Sequence, residues 1–332
     1  MGWDFSLTSA LNVMRRTAPF VFFRMAVYFG IAILYIVATG GGGGIGYAVT
    51  AIGDGEGVGA LYGAIFGFAG ASGVLYWARE YILYIVKAGH IAVMTKMYDQ
   101  ESFPEGKGQI AFAKDIVTDR FAEANILFGV DQLVKGVLKV ITGTLNTVAN
   151  FIPIPGLNNL VKMFNAVVKM SLTYVDEIML AHLIRTDAEN PWKESQRALI
   201  LYAQNYRSML KNAVWLSLMM WALTIIVFVV MLAPAAAIVA LYPGEAGFWG
   251  VVIAFIFAWS AKAALIEPVA IYSLMQVYFK KIEGQEPDPE WEKRLDKASK
   301  HFRELKEKAL AMVPTARETP KVPNDEEIIN KA

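Results

Sequence analysis

"AVYFGIAILYIVATGGGGGIGYAVT", at residues 26–50, contains no charged side chain and lies within an apolar run that extends over about 20–52. A helix needs about 20 apolar residues to cross the hydrocarbon core of a bilayer, so this run is long enough to span it once. Similar runs follow at 58–78, 213–242 and 248–279. The chain of 332 residues is 55% hydrophobic and only 18% charged, which is too apolar for an ordinary soluble domain. The sequence therefore predicts an all-α, polytopic integral membrane protein.

The glycines of this stretch raise a separate question, because Gly41, Gly43 and Gly46 match the G-x-G-x-x-G pattern of dinucleotide-binding loops. That fingerprint requires a preceding strand and a following soluble helix, whereas both neighbours here are apolar spans. In the second span, glycines recur at helical spacing, at Gly59, Gly63, Gly67 and Gly70. Small residues let membrane helices approach closely, so we predict a packing seam between the first two spans or between subunits. We favour this seam over unwound backbone that binds a ligand, and we expect no nucleotide site.

The apolar runs are arranged in pairs that are joined by short turns rich in Gly and Pro. A further pair, 121–152 and 157–178, carries polar residues but is also long enough to span. At the opposite ends, acidic turns that contain proline restart the chain as amphipathic helices. We therefore predict about six spans, arranged as three repeats of an amphipathic surface helix followed by a transmembrane helical hairpin.

This organisation divides the chain into four parts. The predicted parts are an N-terminal amphipathic interfacial helix at 1–18, a membrane domain at 19–285 with hairpins at 20–98, 121–185 and 213–283, a C-terminal amphipathic helix at 286–313, and a polar tail at 314–332 that we expect to be disordered.

Basic residues are distributed unequally between the two ends of the hairpins. The turns at 53–57, 153–156 and 242–247 contain no Lys or Arg, whereas basic residues are frequent at the opposite ends. The positive-inside rule then places both termini and all the amphipathic helices on the cytoplasmic side. We expect the membrane to be a bacterial cytoplasmic (inner) membrane. Because the net charge is only +1, we expect no nucleic-acid partner; the expected partners are membrane lipids and further copies of the chain.

The middle hairpin carries two continuous polar stripes. On each arm the polar residues are three or four apart, so they share one face of a helix. The stripe residues, which we take as candidates for lining a pathway, are Asp131, Lys135, Lys139, Thr142, Asn146 and Asn150 on the first arm, and Asn158, Lys162, Asn165, Lys169, Thr173 and Asp176 on the second.

Three interpretations of the stripes remain open. They could line a hydrated path for a small polar or anionic solute, within one subunit or around an oligomer axis. The hairpin could instead dip into the cytoplasmic leaflet, with its lysines on lipid phosphates. The charges could also simply pair across the two helices. Charged side chains that face lipid at mid-depth cost at least a few kcal/mol, so the stripes must face water, protein or headgroups. We favour the path, because twelve polar residues in two continuous stripes are hard to explain by pairing alone.

Acidic residues recur about 20 residues after each hairpin turn, at the inner ends of the spans. They could form an acidic ring that binds cations, although such residues more often pair with nearby bases. The candidates for this ring are Glu80, Glu177 (with its neighbour Asp176) and Glu267. Lys262 lies deep in the last span and needs a partner; Glu267 is five residues away, which is a longer spacing than an ideal helical pair.

The sequence contains none of the residue groupings that indicate a common catalytic or metal site. Cysteine is absent, and His90, His182 and His301 are too far apart in the chain to indicate a metal site. We interpret His90 and His182 as interfacial residues that bond to backbone or solvent. No nucleophile elbow, phosphate loop or H-E-x-x-H helix occurs. The sequence therefore predicts neither enzymatic activity nor a cofactor.

Two stretches, "LFGVDQLVKGVLKVITG" at 127–143 and "YVDEIMLAHLIR" at 174–185, resemble the choline-transporter-like family of multi-pass proteins. The resemblance covers under a tenth of the chain and implies transport of a solute or a lipid precursor. In general character the chain also resembles multi-pass membrane proteins of bacteria. The favoured function is thus a self-associating protein that provides a transport or channel-like path for a polar or anionic solute or a lipid headgroup. The alternative is a scaffold that organises partners at the bilayer without transport.

Overall fold

The computed structural model describes residues 2–51, 58–101, 108–121, 174–240 and 247–312, together with Leu133, Val134 and Val137. Within these ranges the chain is all-helical and contains no strand. The helices are α1 Leu7–Arg16, α2 Ala18–Ala51, α3 Val58–Tyr98, α4 Gln109–Phe121, α5 Val175–Thr186, α6 Pro191–Gln204, α7 Tyr206–Val239, α8 Gly247–Ala261, α9 Glu267–Ile282, α10 Pro289–Ala298 and α11 Lys300–Ala311. A π-helical turn, Lys262–Ile266, joins α8 to α9.

Long apolar helices support the expectation of an integral membrane protein. Within the described residues, three helical stretches are long and apolar enough to cross a bilayer: Ala18–Ala51, Tyr206–Ala237 and Gly250–Ile282. The N-terminal part of α3, Val58–Gly73, is a shorter apolar helix. Many of their large apolar side chains are exposed, such as Phe66 at 74%, which is the pattern of a surface that faces lipid.

The helices pair as the sequence predicts for two of the three hairpins. α2 packs along α3, and α7 packs along α8. The middle hairpin, predicted over 121–185, lies outside the described residues apart from its last part, which forms α5. The tail predicted at 314–332 also lies outside them. Six spans and a threefold repeat therefore stay predictions.

Glycines determine how closely α2 and α3 approach each other. A Cβ atom on Gly63 would overlap the carbonyl oxygen of Gly42, and a Cβ on Gly59 or Gly67 would overlap the backbone of Gly46 or Ala38. The two backbones are therefore in direct contact along this seam, as small residues permit. Gly70, the fourth glycine predicted in the seam, has nothing within 4 Å of its Cβ position.

Below the exposed spans, the chain forms a compact helical core. α6 begins with an Asn190 side-chain cap and Pro191 at its first turn, which is a favourable start for a helix. Its residues 198–203 are all buried, and α9 is buried on nearly every side. The sequence predicts a cytoplasmic surface helix in the region of α6, whereas the structure places that helix in the interior. Its apolar face packs on α5, α9 and α11 and not on a bilayer.

The C-terminal amphipathic segment, predicted as one helix at 286–313, consists of two helices that meet at Ser299. The Ser299 backbone is extended, and its Oγ accepts a hydrogen bond from the Phe302 amide at 3.3 Å, so Ser299 ends α10 and caps α11. Leu295, Phe302 and Leu305 are buried against the core. The apolar stripe of this segment is therefore covered by the chain itself.

The N-terminal helix α1 also packs on the core. Ala10 and Val13 are buried, and Leu7 and Met14 pack against the same cluster. Leu11, on the same helix, is 54% exposed. The covered face of α1 packs against α9.

Candidate functional site

Ionisable side chains from five helical segments meet where the apolar spans join the helical core. We call Arg24, Lys87, Glu177, Lys262 and Glu267 the junction cluster. α2 provides Arg24, α3 provides Lys87, the first turn of α5 provides Glu177, and the π turn and the first residue of α9 provide Lys262 and Glu267. Charged groups packed between the helices of a membrane protein are costly and often mark a functional site.

The π turn is the local feature that organises one side of the cluster. The Glu267 amide donates to the carbonyl of Lys262, five residues earlier, which defines the turn. Pro268 has no amide hydrogen, so it cannot donate the next bond, to the carbonyl of Ala263. Arg24 satisfies that carbonyl instead, with Nη2 at 2.6 Å from Ala263 O. The backbone irregularity in one span is therefore matched by a buried guanidinium from another.

The same turn explains how Lys262 reaches Glu267. Residues five apart come into register in a π turn, and Lys262 Nζ lies 3.0 Å from Glu267 Oε1. Lys262 Nζ also lies 5.1 Å from the centre of the Trp259 ring. Glu267 of the predicted acidic ring is thus paired with a base.

Glu177 is paired as well, with a base that the sequence did not indicate. Its Oε1 lies 2.6 Å from Lys87 Nζ, and the Glu177 side chain is buried. The Glu267 carboxylate and the Asp176 carboxylate also lie within electrostatic range of Lys87. No sequence signal connects Lys87 to Glu177, because they are 90 residues apart.

Arg24 differs from the two lysines. It is fully buried at 0% exposure, and its Nε and Nη1 atoms make no hydrogen bond within the part of the chain that the structure describes. Its other neighbours are the Tyr28 ring, 5.6 Å from the guanidinium carbon, and His90, which lies within electrostatic range. Sequence reasoning considered Arg24 only as a possible partner of a carboxylate, and no ion pair joins it to a carboxylate among the described residues.

The structure describes only some of the other predicted site residues. Asp176 lies beside Glu177 in the first turn of α5, and Glu80 lies in α3 with a side chain outside the described set. The remaining stripe residues lie outside the described residues: Asp131, Lys135, Lys139, Thr142, Asn146, Asn150, Asn158, Lys162, Asn165, Lys169 and Thr173.

The two histidines predicted at the membrane interface are both buried. His90 Nε2 lies 3.1 Å from Thr17 Oγ1, and its ring stacks on Phe20. His182 Nε2 lies 2.7 Å from Glu194 Oε1, while Tyr278 Oη lies 3.2 Å from the Nδ1 atom of the same ring. The hydrogen bond with His182 is the main reason that the pKa of Glu194 is lowered. The expectation that both histidines bond only to backbone or solvent is therefore wrong.

The fold and the junction cluster define an all-helical protein with helices that could cross a membrane and with ionisable groups packed between them. No family model matches the chain, and no curated protein or solved structure is significantly similar to it. The resemblance of residues 127–143 and 174–185 to the choline-transporter-like family stays a prediction.

Proposed function

We propose that the protein is a self-associating, six-span protein of a bacterial cytoplasmic membrane. It provides a path for a small polar or anionic solute, or for a lipid headgroup, through the polar-striped hairpin 131–176. The observation that carries this proposal is the junction cluster, in which five ionisable side chains gather between apolar helices. A protein that needed only membrane anchoring would gain nothing from such costly groups.

The position of the cluster supports its connection with the striped hairpin. Asp176, the last residue of the second stripe, is the chain neighbour of Glu177, which belongs to the cluster. In the chain, the second stripe therefore ends beside the junction cluster. The lysines of the stripe favour anions, and the amides near the tip offer neutral hydrogen bonds.

The distribution of charge supports a cytoplasmic helical core. The tips of the α2–α3 and α7–α8 hairpins, at 53–57 and 242–247, contain no Lys or Arg. The core at the other end of these helices carries many basic side chains, including Arg185, Arg197 and Lys211. By the positive-inside rule, the core and both termini are cytoplasmic.

The scaffold alternative has less support. A scaffold would use the glycine seam and the apolar stripe of the C-terminal segment as surfaces for partners. Gly59, Gly63 and Gly67 are in contact with α2, and Leu295, Phe302 and Leu305 are buried in the core. Neither feature leaves a large apolar surface for another protein.

Anion flux in proteoliposomes tests the path. The double variant K139L/K169L removes two stripe charges, and we expect it to assemble as the wild type does but to lose flux. The matched control K293L/K297L changes two exposed lysines of α10 and keeps wild-type flux. Unchanged flux in K139L/K169L, or no flux in the wild type, would support the scaffold instead.

A further inference from the structure

We propose that the N-terminal residues and the start of α7 form a surface site for an anionic phospholipid of the cytoplasmic leaflet. The site consists of an exposed tryptophan pair, Trp3 and Trp215, and of three exposed basic side chains, Arg207, Lys211 and Lys281. We call these five side chains the headgroup site. The inference rests on the proposed function only for the cytoplasmic orientation of this end of α7, and it concerns binding and not transport.

One exposed stripe of α7 changes from basic to apolar at Trp215. Arg207, Lys211 and Trp215 follow one another at intervals of four residues, so they share one face of the helix. From residue 212 to the end of α7 the sequence contains no charged residue, and the same face continues with exposed apolar side chains such as Leu218. Such a change is typical of the level at which a membrane helix passes from the headgroups into the hydrocarbon core.

The N-terminal segment is fastened to this part of α7. The Asp4 amide donates to Asn212 Oδ1 at 2.6 Å, and Asn212 Nδ2 donates to Asp4 Oδ2 at 2.9 Å. Lys211 Nζ lies 2.8 Å from the same carboxylate oxygen. These contacts hold the neighbouring Trp3 at the surface of α7, where its ring meets the Trp215 ring edge to face with the ring centres 6.0 Å apart.

The tryptophan pair is exposed although the chain holds it in place. Trp3 is 47% exposed and Trp215 is 39% exposed. Two large aromatic rings gain little by facing water, whereas at a membrane interface an indole places its ring among lipid and its N–H among the polar headgroups. The surface therefore suits a lipid close to its headgroup.

The charges beside the tryptophans select an anionic lipid. The hydrogen bonds with Asn212 and Lys211 lower the pKa of Asp4, so this carboxylate stays ionised and balances Lys211. Lys281 also lies within electrostatic range of Asp4. One carboxylate thus faces two ammonium groups at this point of the surface.

The other nearby charges leave the balance positive. Within the described residues, Arg207 contacts only the neighbouring Tyr206 and has no carboxylate partner. Lys280 and Glu283 flank Lys281 in the chain, and their charges cancel. Arg207 and Lys281 therefore provide two positive charges that Asp4 does not balance.

The spacing along α7 fits the thickness of the headgroup layer. At 1.5 Å per residue, Lys211 lies about 6 Å and Arg207 about 12 Å from Trp215 along the axis. The headgroup layer is about 5–7 Å thick on each side of the bilayer, so lipid phosphates lie near the level of Lys211. Arg207 is then within the Debye length of about 8 Å from them. A free phosphate ion would meet the same charges but would leave the tryptophan pair in water, whereas a lipid covers both.

Quenching of tryptophan fluorescence by brominated lipids tests the site. Full-length protein is reconstituted in phosphatidylcholine liposomes that contain a fixed fraction of either phosphatidylglycerol or phosphatidylcholine, brominated near the headgroup end of its acyl chains. We expect brominated phosphatidylglycerol to quench the wild type more strongly than brominated phosphatidylcholine does. Equal quenching by the two lipids would overturn the proposal, whether or not any variant folds.

The variant W3F/W215F locates the bound lipid. It removes two of the eight tryptophans, and we expect the excess quenching by phosphatidylglycerol to fall by at least about half. An unchanged excess would show that the anionic lipid binds elsewhere or that another protein surface covers this pair, and it would overturn the headgroup site.

The variant R207Q/K281Q tests the charges while it keeps the Lys211–Asp4 pair. Each basic residue near an anionic surface raises lipid affinity by about fivefold, so we expect the preference for phosphatidylglycerol to fall by about 5–30-fold. Quenching by phosphatidylcholine should stay the same. The matched control K293Q/K297Q removes two exposed lysines of α10 and should keep the wild-type preference. An equal loss in both variants would indicate a general effect of net charge and would contradict the site.

Lipid binding and transport can fail separately in these experiments. A preference for phosphatidylglycerol without flux in liposomes would keep the headgroup site and overturn the path. Flux that depends on Lys139 and Lys169, without this preference, would keep the path and overturn the headgroup site.

Discussion

At the scale of residues, the molecule is distinguished by the way its buried charges are satisfied. Lys87 and Lys262 each have a carboxylate at ion-pair distance, whereas Arg24 has a backbone carbonyl. The pairs join elements that are distant in sequence and fix how the spans meet the core. Sequence reasoning named Glu267 as one candidate partner of Lys262, beside a carboxylate of another repeat, because both residues lie in one apolar run. It missed Lys87–Glu177, since helical periodicity carries no information about contacts 90 residues apart.

Breaking the Lys87–Glu177 pair should show how much the pair contributes to the stability of the folded protein. E177Q leaves Lys87 without its nearest counter-charge, so we expect the free energy of unfolding to fall by about 1–3 kcal/mol. This loss is smaller than for a fully buried pair, because the Lys87 side chain is 29% exposed. Thermal unfolding of E177Q, K87M and the double variant measures this loss of stability. The double variant should lose less than the sum of the single variants. Strict additivity would show that the two side chains do not interact.

The Glu194–His182 pair predicts a dependence of stability on acid. The pKa of Glu194 is lowered from its ordinary value of 4.5, chiefly by the hydrogen bond with His182. A carboxyl group with a lowered pKa in the folded state stabilises the protein above its ordinary pKa, and this contribution is lost as the pH falls below about 4.5. E194Q should therefore lose stability at pH 7 and show a shallower decline of Tm between pH 5 and pH 3. The exposed control E290Q should keep the wild-type profile, and an unchanged slope in E194Q would contradict the assignment.

At the scale of elements, two backbone features shape the spans: the close contact between α2 and α3, and the π turn between α8 and α9. The α2–α3 pair depends on the glycines of the seam. The α8–α9 span contains a π turn, and Pro268, which follows this turn, has no amide hydrogen to donate. Periodicity predicted the glycine stripe, although only three of its four members contact α2. The π turn could have been suspected from the five-residue spacing of Lys262 and Glu267 followed by proline, but helical spacing rules assume a regular α-helix.

A matched pair of substitutions tests the seam. G63A should destabilise the protein by about 1–3 kcal/mol, because the added Cβ would overlap the Gly42 carbonyl and force the two helices apart. G70A, on the same helix, meets nothing within 4 Å and should be neutral or slightly stabilising, since Ala favours helix over Gly. Tm values measured in one detergent compare them directly. Equal effects of the two substitutions would show that α2 and α3 do not pack through this stripe.

At the scale of the whole molecule, apolar helices project from a well-packed helical core. The sequence indicated the apolar helices because length and hydrophobicity decide whether a helix can span. It did not reveal the core, because an amphipathic pattern is the same for a helix on a bilayer surface and for one packed on protein. α6 and the α10–α11 segment show this, since their apolar faces are covered by neighbouring helices.

The central claim is that three hairpins cross the membrane from a cytoplasmic core, and side-specific cysteine labelling tests it most directly. The natural chain has no cysteine, so single variants can be labelled without background. A membrane-impermeant maleimide applied to intact spheroplasts should label D54C, I154C and G244C, and it should label H301C only after permeabilisation. Labelling of I154C from the same side as H301C would contradict a spanning middle hairpin, and with it the proposed path.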